Sequence, residues 1–301
     1  MNKYQSQSQK VRIQYSSKNA NVSNAWKKWQ GEVKGIKKMK TVQTKQEFEK
    51  AFDRWAQGGE FDGVIAKIAG IYHDLEPYQF ATDYYSETVR AIEIANFASS
   101  LYAIYKADKE TGEVTFDAKK AGDLVEAFYK DWYLPIDKEC FAALMSEFER
   151  NIPENFRCEY FRKQMSKYGT AEKWAEVLFG RSIFTDRTKV EKLIKEGSSQ
   201  KALTKARKAI LKDPATEFAI EFAKWYATEI QPVTTKLNQE LQLAYRDYMR
   251  GQMVYCRTQR VPKAFYPDAN LTLRVAYGHI KGYSPADRTY YKPSSTIKGI
   301  M

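Results

Sequence analysis

The chain has 301 residues, 43% of them hydrophobic and 14% aromatic, enough to bury the core of one large domain or two smaller ones and too apolar for intrinsic disorder. Its formal charge of +12 points to phosphates or acidic peptides as conceivable partners. No run approaches the ~20 apolar residues of a membrane span, and the opening "MNKYQSQSQKVRIQY" is polar where a signal peptide would be apolar.

A long amphipathic stretch from about 5 to 40 comes first, with Val11, Ile13 and Tyr15, then Trp26, Trp29, Val33 and Ile36 at helical spacing. The polar "SSKNANVSN" between the two halves is expected to break or kink it. "TKQE" at 44 to 47 reads as a capping box opening the next helix, which Gly58 and Gly59 close. Further helices are expected at about 62 to 74, 78 to 106, 117 to 131, 135 to 150, 154 to 168, 170 to 179, 186 to 196 and 199 to 211. "ADKETGEVTF" at 107 to 116 is a loop or hairpin excursion. Asp213 N-caps a helix with Pro214 in its first turn, running to about 230, and Pro232 starts another reaching about 253, the two forming an antiparallel pair.

From 261 onward the period changes from 3.6 to two. Leu271, Leu273, Val275 and Tyr277 alternate with Thr272, Arg274 and Ala276, as in a strand. A lone strand leaves its backbone groups unpaired, so its sheet must come from elsewhere. The fold class expected is mainly α: an irregular multi-helix domain with a short C-terminal β segment.

Two stretches carry a family resemblance. "YPDANLTLRVAYGHIKGYSPAD" and "VRIQYSSKNANVSNAWKKWQG" resemble segments of the bacterial chymotrypsin-like serine dipeptidyl-peptidases of the seven and eleven type. The resemblance implies that residues 1–265 are the helical cap or regulatory domain over the protease cleft. Residues 266–301 would then be a partial segment of the catalytic β-barrel domain. It places the catalytic histidine and aspartate before this segment and the serine, in a Gly-Asn-Ser-Gly-Ser-like stretch, after it.

With His73 and His279 as the two histidines, the sequence offers no catalytic set, so no catalytic residue is assigned and this chain alone is expected to be inactive. The substrate-binding candidate is Asn24, matching a family asparagine that holds the free α-amino group of the peptide. A side-chain carbonyl suits that ammonium, and measuring two residues from it yields dipeptides. On the residues alone, Asn24 merely caps or breaks the first helix. Ala25 departs from the family's tyrosine, and Arg288 stands where a glycine commonly follows "SPAD".

No cofactor and no metal is expected, because two histidines and the widely spaced Cys140, Cys158 and Cys256 supply no ligand set. One disulfide with a cysteine left over stays open. The tyrosines and phenylalanine at 72, 78, 80, 84 and 85 read as helix packing before they read as a peptide groove. Partners implied by the resemblance are a peptide with a free N-terminus and the rest of the protease chain. A homodimer is compatible with it, as is a periplasmic or cell-surface location. The alternatives are a free-standing helical binding or scaffold protein and, disfavoured, a basic nucleic-acid binder. The charge argument for the last rests on residues 187 to 212, nine Lys or Arg against Glu191 and Glu196, and on "KKMK" beside Trp26 and Trp29. Ala202, Ala206, Ala209 and Ile210 show an ordinary buried stripe beneath those lysines.

Overall fold

The computed structural model describes residues 1–195, 199–263, 265 and 275–297. Helices dominate: α1 Asn2–Gln5, α2 Gln9–Lys38, α3 Thr41–Ala56, α4 Val64–Glu87, α5 Glu93–Ile104, then a hairpin of β1 Lys106–Ala107 and β2 Val114–Thr115. They continue as α6 Ala118–Lys130, α7 Leu134–Asn151, α8 Glu159–Tyr168, α9 Ala171–Arg181, α10 Arg187–Lys195, α11 Gln200–Leu211, α12 Pro214–Trp225 and α13 Gln231–Thr258. A second hairpin, β3 Tyr283–Ala286 with β4 Thr289–Tyr291, follows. Residues 1–255 form one compact unit and 256–301 another.

The main core of the first unit is built by α5 to α12. Phe141, Phe148, Phe161, Trp174, Phe218 and Phe222 are buried there, their rings meeting mostly edge-on or tilted. These contacts follow from apolar residues spaced three and four apart, which place one stripe of each helix inward. Two smaller clusters tie α13 to its neighbours: Phe52, Ala56, Phe61 and Tyr248, and Ile71, Leu75, Leu241 and Ala244. At Gly251, α13 packs closely on the rings of Phe52 and Phe61. A Cβ built there would lie 2.8 Å from Phe52 Cζ and 3.0 Å from Phe61 Cδ1. Gly251→Ala is therefore expected to lose about 1–2 kcal/mol of stability, overpacking outweighing the helix propensity it gains, read as a lower urea midpoint.

Several sequence expectations are corrected. The helix α2 runs unbroken through "SSKNANVSN", its start capped by Ser8, whose Oγ accepts from Val11 N. No capping box forms at 44 to 47. Lys40, in the left-handed region at φ 51°, makes the turn, α3 begins at Thr41, and the Thr44 hydroxyl donates back to Lys40 O. Pro77 lies inside α4, and the break comes instead at 88 to 92, where a 3-10 turn leads into α5.

Asp213 does cap α12, accepting from Ala215 N at 2.9 Å. However, α12 and α13 are not an antiparallel pair. A π-turn over Tyr226–Ile230 joins them with helical backbone at both ends. Pro232 has no N–H to donate four residues back, and a widened turn just ahead of it relieves the ladder without reversing the chain.

In the second unit, Leu271 and Leu273 of the expected strand lie outside the described residues. Val275 and Tyr277 are exposed and outside any strand. The pairing that exists is the hairpin 283–291, with both strands exposed. Arg288 occupies its turn at φ 60°. That conformation suits glycine, so the arginine keeps the turn at a steric cost of roughly 1 kcal/mol.

Candidate functional site

The first half of α2 is anchored and the second is not. Val11 and Tyr15 are its buried residues, packed with Ile136 of α7. Tyr15 Oη accepts from Tyr133 N at 3.1 Å, and burial, followed by the nearby Glu93 carboxylate, pushes its phenol far above the ordinary tyrosine range. Lys18 pairs with Glu93, donates to Asp131 O at 2.6 Å and lies 4.4 Å from the Tyr15 ring centroid.

Beneath this anchor sits Asp137, 1% exposed. It accepts from Glu93 N at 2.9 Å, Ile94 N at 2.8 Å and Trp132 Nε1 at 2.9 Å. A residue of α7 thus caps α5, which has no side-chain cap of its own.

Beyond Tyr15, α2 projects as an arm. Val22, Trp26, Trp29, Val33 and Ile36 step alternately four and three residues apart, forming one stripe, and they are 46–61% exposed. Asn24 is two residues from Val22 and from Trp26, so at about 100° per residue it lies on the side of α2 opposite that stripe. It is exposed, its side chain makes no hydrogen bond among the described residues, and it neither caps nor breaks the helix.

A second surface is a groove of about 780 Å³ between α4 and α13, lined by Tyr72, His73, Glu76, Phe80, Asn238 and Leu241 among others. Tyr72 Oη and Tyr245 Oη share a hydrogen bond of 2.9 Å at its edge, which with burial pushes Tyr245 up to about 12. The aromatic run is thus divided. Tyr72 and Phe80 face this groove, whereas Tyr78, Tyr84 and Tyr85 pack on the main core. Spacing alone carried the signal: Tyr72, Glu76 and Phe80 fall four residues apart on one face of α4.

His73 is exposed on this wall, and His279 is exposed in the second unit. All three cysteines are free thiols. Cys158 serves as the cap of α8, its Sγ accepting from Phe161 N, and burial pushes it up to about 12. Among the described residues no group of His, Cys, Asp and Glu could hold a metal ion, and no helix is long and apolar enough to cross a membrane.

The family model described as Peptidase S46 matches residues 1–301. An Asp/Glu-specific dipeptidyl-peptidase of Capnocytophaga gingivalis is 29% identical over 99% of this chain, which spans 41% of that relative. One from Flavobacterium psychrophilum is 30% identical over 97% of the chain and is covered to 40%. Dipeptidyl-peptidase 7 of Porphyromonas gingivalis is 27% identical, with the same coverages. The crystal structure of Porphyromonas endodontalis DPP11 in complex with the dipeptide Arg-Glu superposes with a TM-score of 0.73 at 25% identity, over 100% of this chain and 42% of that one. The chain therefore spans about two fifths of the length of the relatives it matches. On the match across its whole length, the chain belongs to the Peptidase S46 family.

Proposed function

We propose that this chain is the helical, cleft-covering part of a serine dipeptidyl-peptidase and helps to hold the free N-terminus of the peptide being shortened. The observation that carries this reading is the α2 arm. It extends past its anchor with an apolar, two-tryptophan stripe that no part of the described chain buries. A stripe of that width calls for a covering surface, and more than half of each relative's length lies outside the match. The stripe then faces the remainder of the enzyme, and Asn24, free on the other side, has an amide oxygen able to accept from the substrate ammonium. The catalytic histidine, aspartate and serine, on a chymotrypsin-like barrel, belong to that remainder. So does the choice of side chain at the cleavage site. Homodimerisation and a periplasmic or cell-surface location are part of the same reading.

The test is direct. The purified chain is expected to release no dipeptide from dipeptidyl-coumarin substrates, yet to bind a peptide with a free N-terminus. N-acetylating the peptide, or Asn24→Ala, is expected to weaken that binding about tenfold or more, the loss of one charge-assisted hydrogen bond, as read by fluorescence anisotropy. Dipeptide release by the chain alone would remove the assignment of the chemistry to another part. Equal affinity for free and acetylated peptide would remove the role of Asn24.

A further inference from the structure

The basic stretch from 187 to 212 is not one uniform charged face; the fold sorts it. Arg187 donates to Glu126 at 2.5 Å and to Glu191 at 2.6 Å. Lys189 pairs with Asp186. Arg207 is turned inward, donating to Tyr105 O at 3.1 Å and Tyr102 Oη at 2.7 Å, its guanidinium 4.8 Å from the Tyr102 ring centroid. Of the remaining lysines, Lys201, Lys205 and Lys208 stand together at i, i+4 and i+7 of α11. All three are exposed on one face, and among the described residues none has a carboxylate within ion-pair distance.

These three lysines line a groove of about 660 Å³ whose opposite wall is the β1–β2 turn at Thr111, Gly112 and Glu113. The wall is fixed in place. The Gln200 side chain accepts from Val114 N at 2.9 Å and donates to Val114 O at 3.1 Å, while Val114 itself is 2% exposed. Asp108 organises the turn by accepting from Glu110 N, Thr111 N and Thr111 Oγ1. The lysines therefore face a built surface and not a swinging loop, and the N-terminus of α11 at the same end adds its own positive dipole.

We propose that this groove binds an acidic stretch of a peptide, a second contact for acidic substrates that rests on the peptidase reading above. The chemistry of the lining selects among anions. The three lysines are spread along about 10 Å of helix, the length of roughly three residues of extended peptide. An extended chain bearing several carboxylates can meet all three at once, whereas a single phosphate is too small to span them. No arginine fork lines the groove to grip a phosphate in bidentate fashion. Nor does any aromatic ring offer a stacking platform for bases, which single-stranded nucleic acid would use. Spaced point charges match spaced carboxylates, and Glu113 on the facing wall disfavours a ligand too densely charged to avoid it.

The experiment uses the 301-residue chain and an N-acetylated, dye-labelled hexaglutamate. Blocking the amino end removes any contribution from Asn24, so failure here is distinct from failure of the N-terminus reading. Binding is expected by fluorescence anisotropy, falling steeply between about 20 and about 200 mM salt. It should weaken about tenfold or more in the Lys201→Glu, Lys205→Glu, Lys208→Glu triple variant. Because those residues are exposed, the melting temperature should hold; Lys205→Gln alone, still several-fold weaker, serves if the triple variant melts early. Unchanged affinity in both variants would overturn the proposal. So would an oligothymidylate that binds the groove more tightly than hexaglutamate and displaces it.

Discussion

Replacing Asp137 by alanine is expected to lower the stability of the helical unit by about 3–5 kcal/mol, since two buried donors and one half-buried donor lose their acceptor at once and each unsatisfied buried group costs roughly 1–3 kcal/mol. The donors are Glu93 N, Ile94 N and Trp132 Nε1. The loss should reach the arm as well, because Glu93 at the freed helix start is the partner of Lys18 on α2. Urea unfolding followed by circular dichroism measures the effect, and a midpoint unchanged from wild type would show that the capping is dispensable.

Asp137→Asn keeps the shape and one acceptor and exposes the titration. Burial first, then Glu93, pushes the Asp137 carboxyl up to about 6 from an ordinary 3.8, against the opposing pull of its three donors. With the folded value raised, the folded chain holds a proton that the unfolded chain has released, and the wild type is stabilised by acid across that window. Relative to Asp137→Asn, wild-type stability should therefore fall as pH rises from about 4 to about 6, by roughly 3 kcal/mol at most, and level off above. Glu139, held low by Tyr4 and Lys3, pulls absolute stability the other way, so the difference between the two proteins is the quantity to follow.

The second large effect is expected at Phe222→Ala, about 3–5 kcal/mol destabilising. Phe222 is fully buried and its ring lies 4.8 Å from that of Phe218, 5.6 Å from Phe148 and 6.2 Å each from Tyr160, Phe161 and Trp225. One truncation opens a cavity where α7, α8 and α12 meet, and rigid rings on every side cannot collapse into it. Phe222→Leu, which refills much of the volume, should lose less than half as much. Equal losses for the two variants would indicate that edge-to-face geometry, worth roughly 1 kcal/mol per pair, outweighs the cavity.

Much of the helical order was legible in the residues because it is a local matter. Asp213 before Pro214 capped α12 as its sequence demands, and the apolar spacing of α6 to α11 located those helices closely, whereas α5 was merged with the end of α4. The failures lie where distant contacts override local grammar. "TKQE" has the composition of a capping box, yet the turn at Lys40 starts α3 early and leaves Thr44 inside it. Pro77 and Pro232 looked like boundaries, and both sit within helices whose ladders adjust around them.

The candidate site divides in the same way. The resemblance singled out Asn24 by its place in a motif, and periodicity grouped Trp26, Trp29, Val33 and Ile36 on one stripe. Helical spacing alone puts Asn24 on the opposite side; that the stripe is exposed depends on where α2 leaves the core. The sorting of the basic stretch was equally hidden, because Arg207 and Lys208 are neighbours in sequence that point to opposite environments.

By itself, then, the sequence determined what 3.6-residue periodicity, end caps and family motifs encode: a mainly helical chain, its inward stripes and its kinship. The tertiary structure alone decided which carboxylate caps which distant helix, which lysines keep their charge unpaired, and which apolar stripe is left uncovered. Those outcomes arise from pairings between residues tens to more than a hundred positions apart, such as Asp137 with Ile94 and Gln200 with Val114, and no local pattern specifies them.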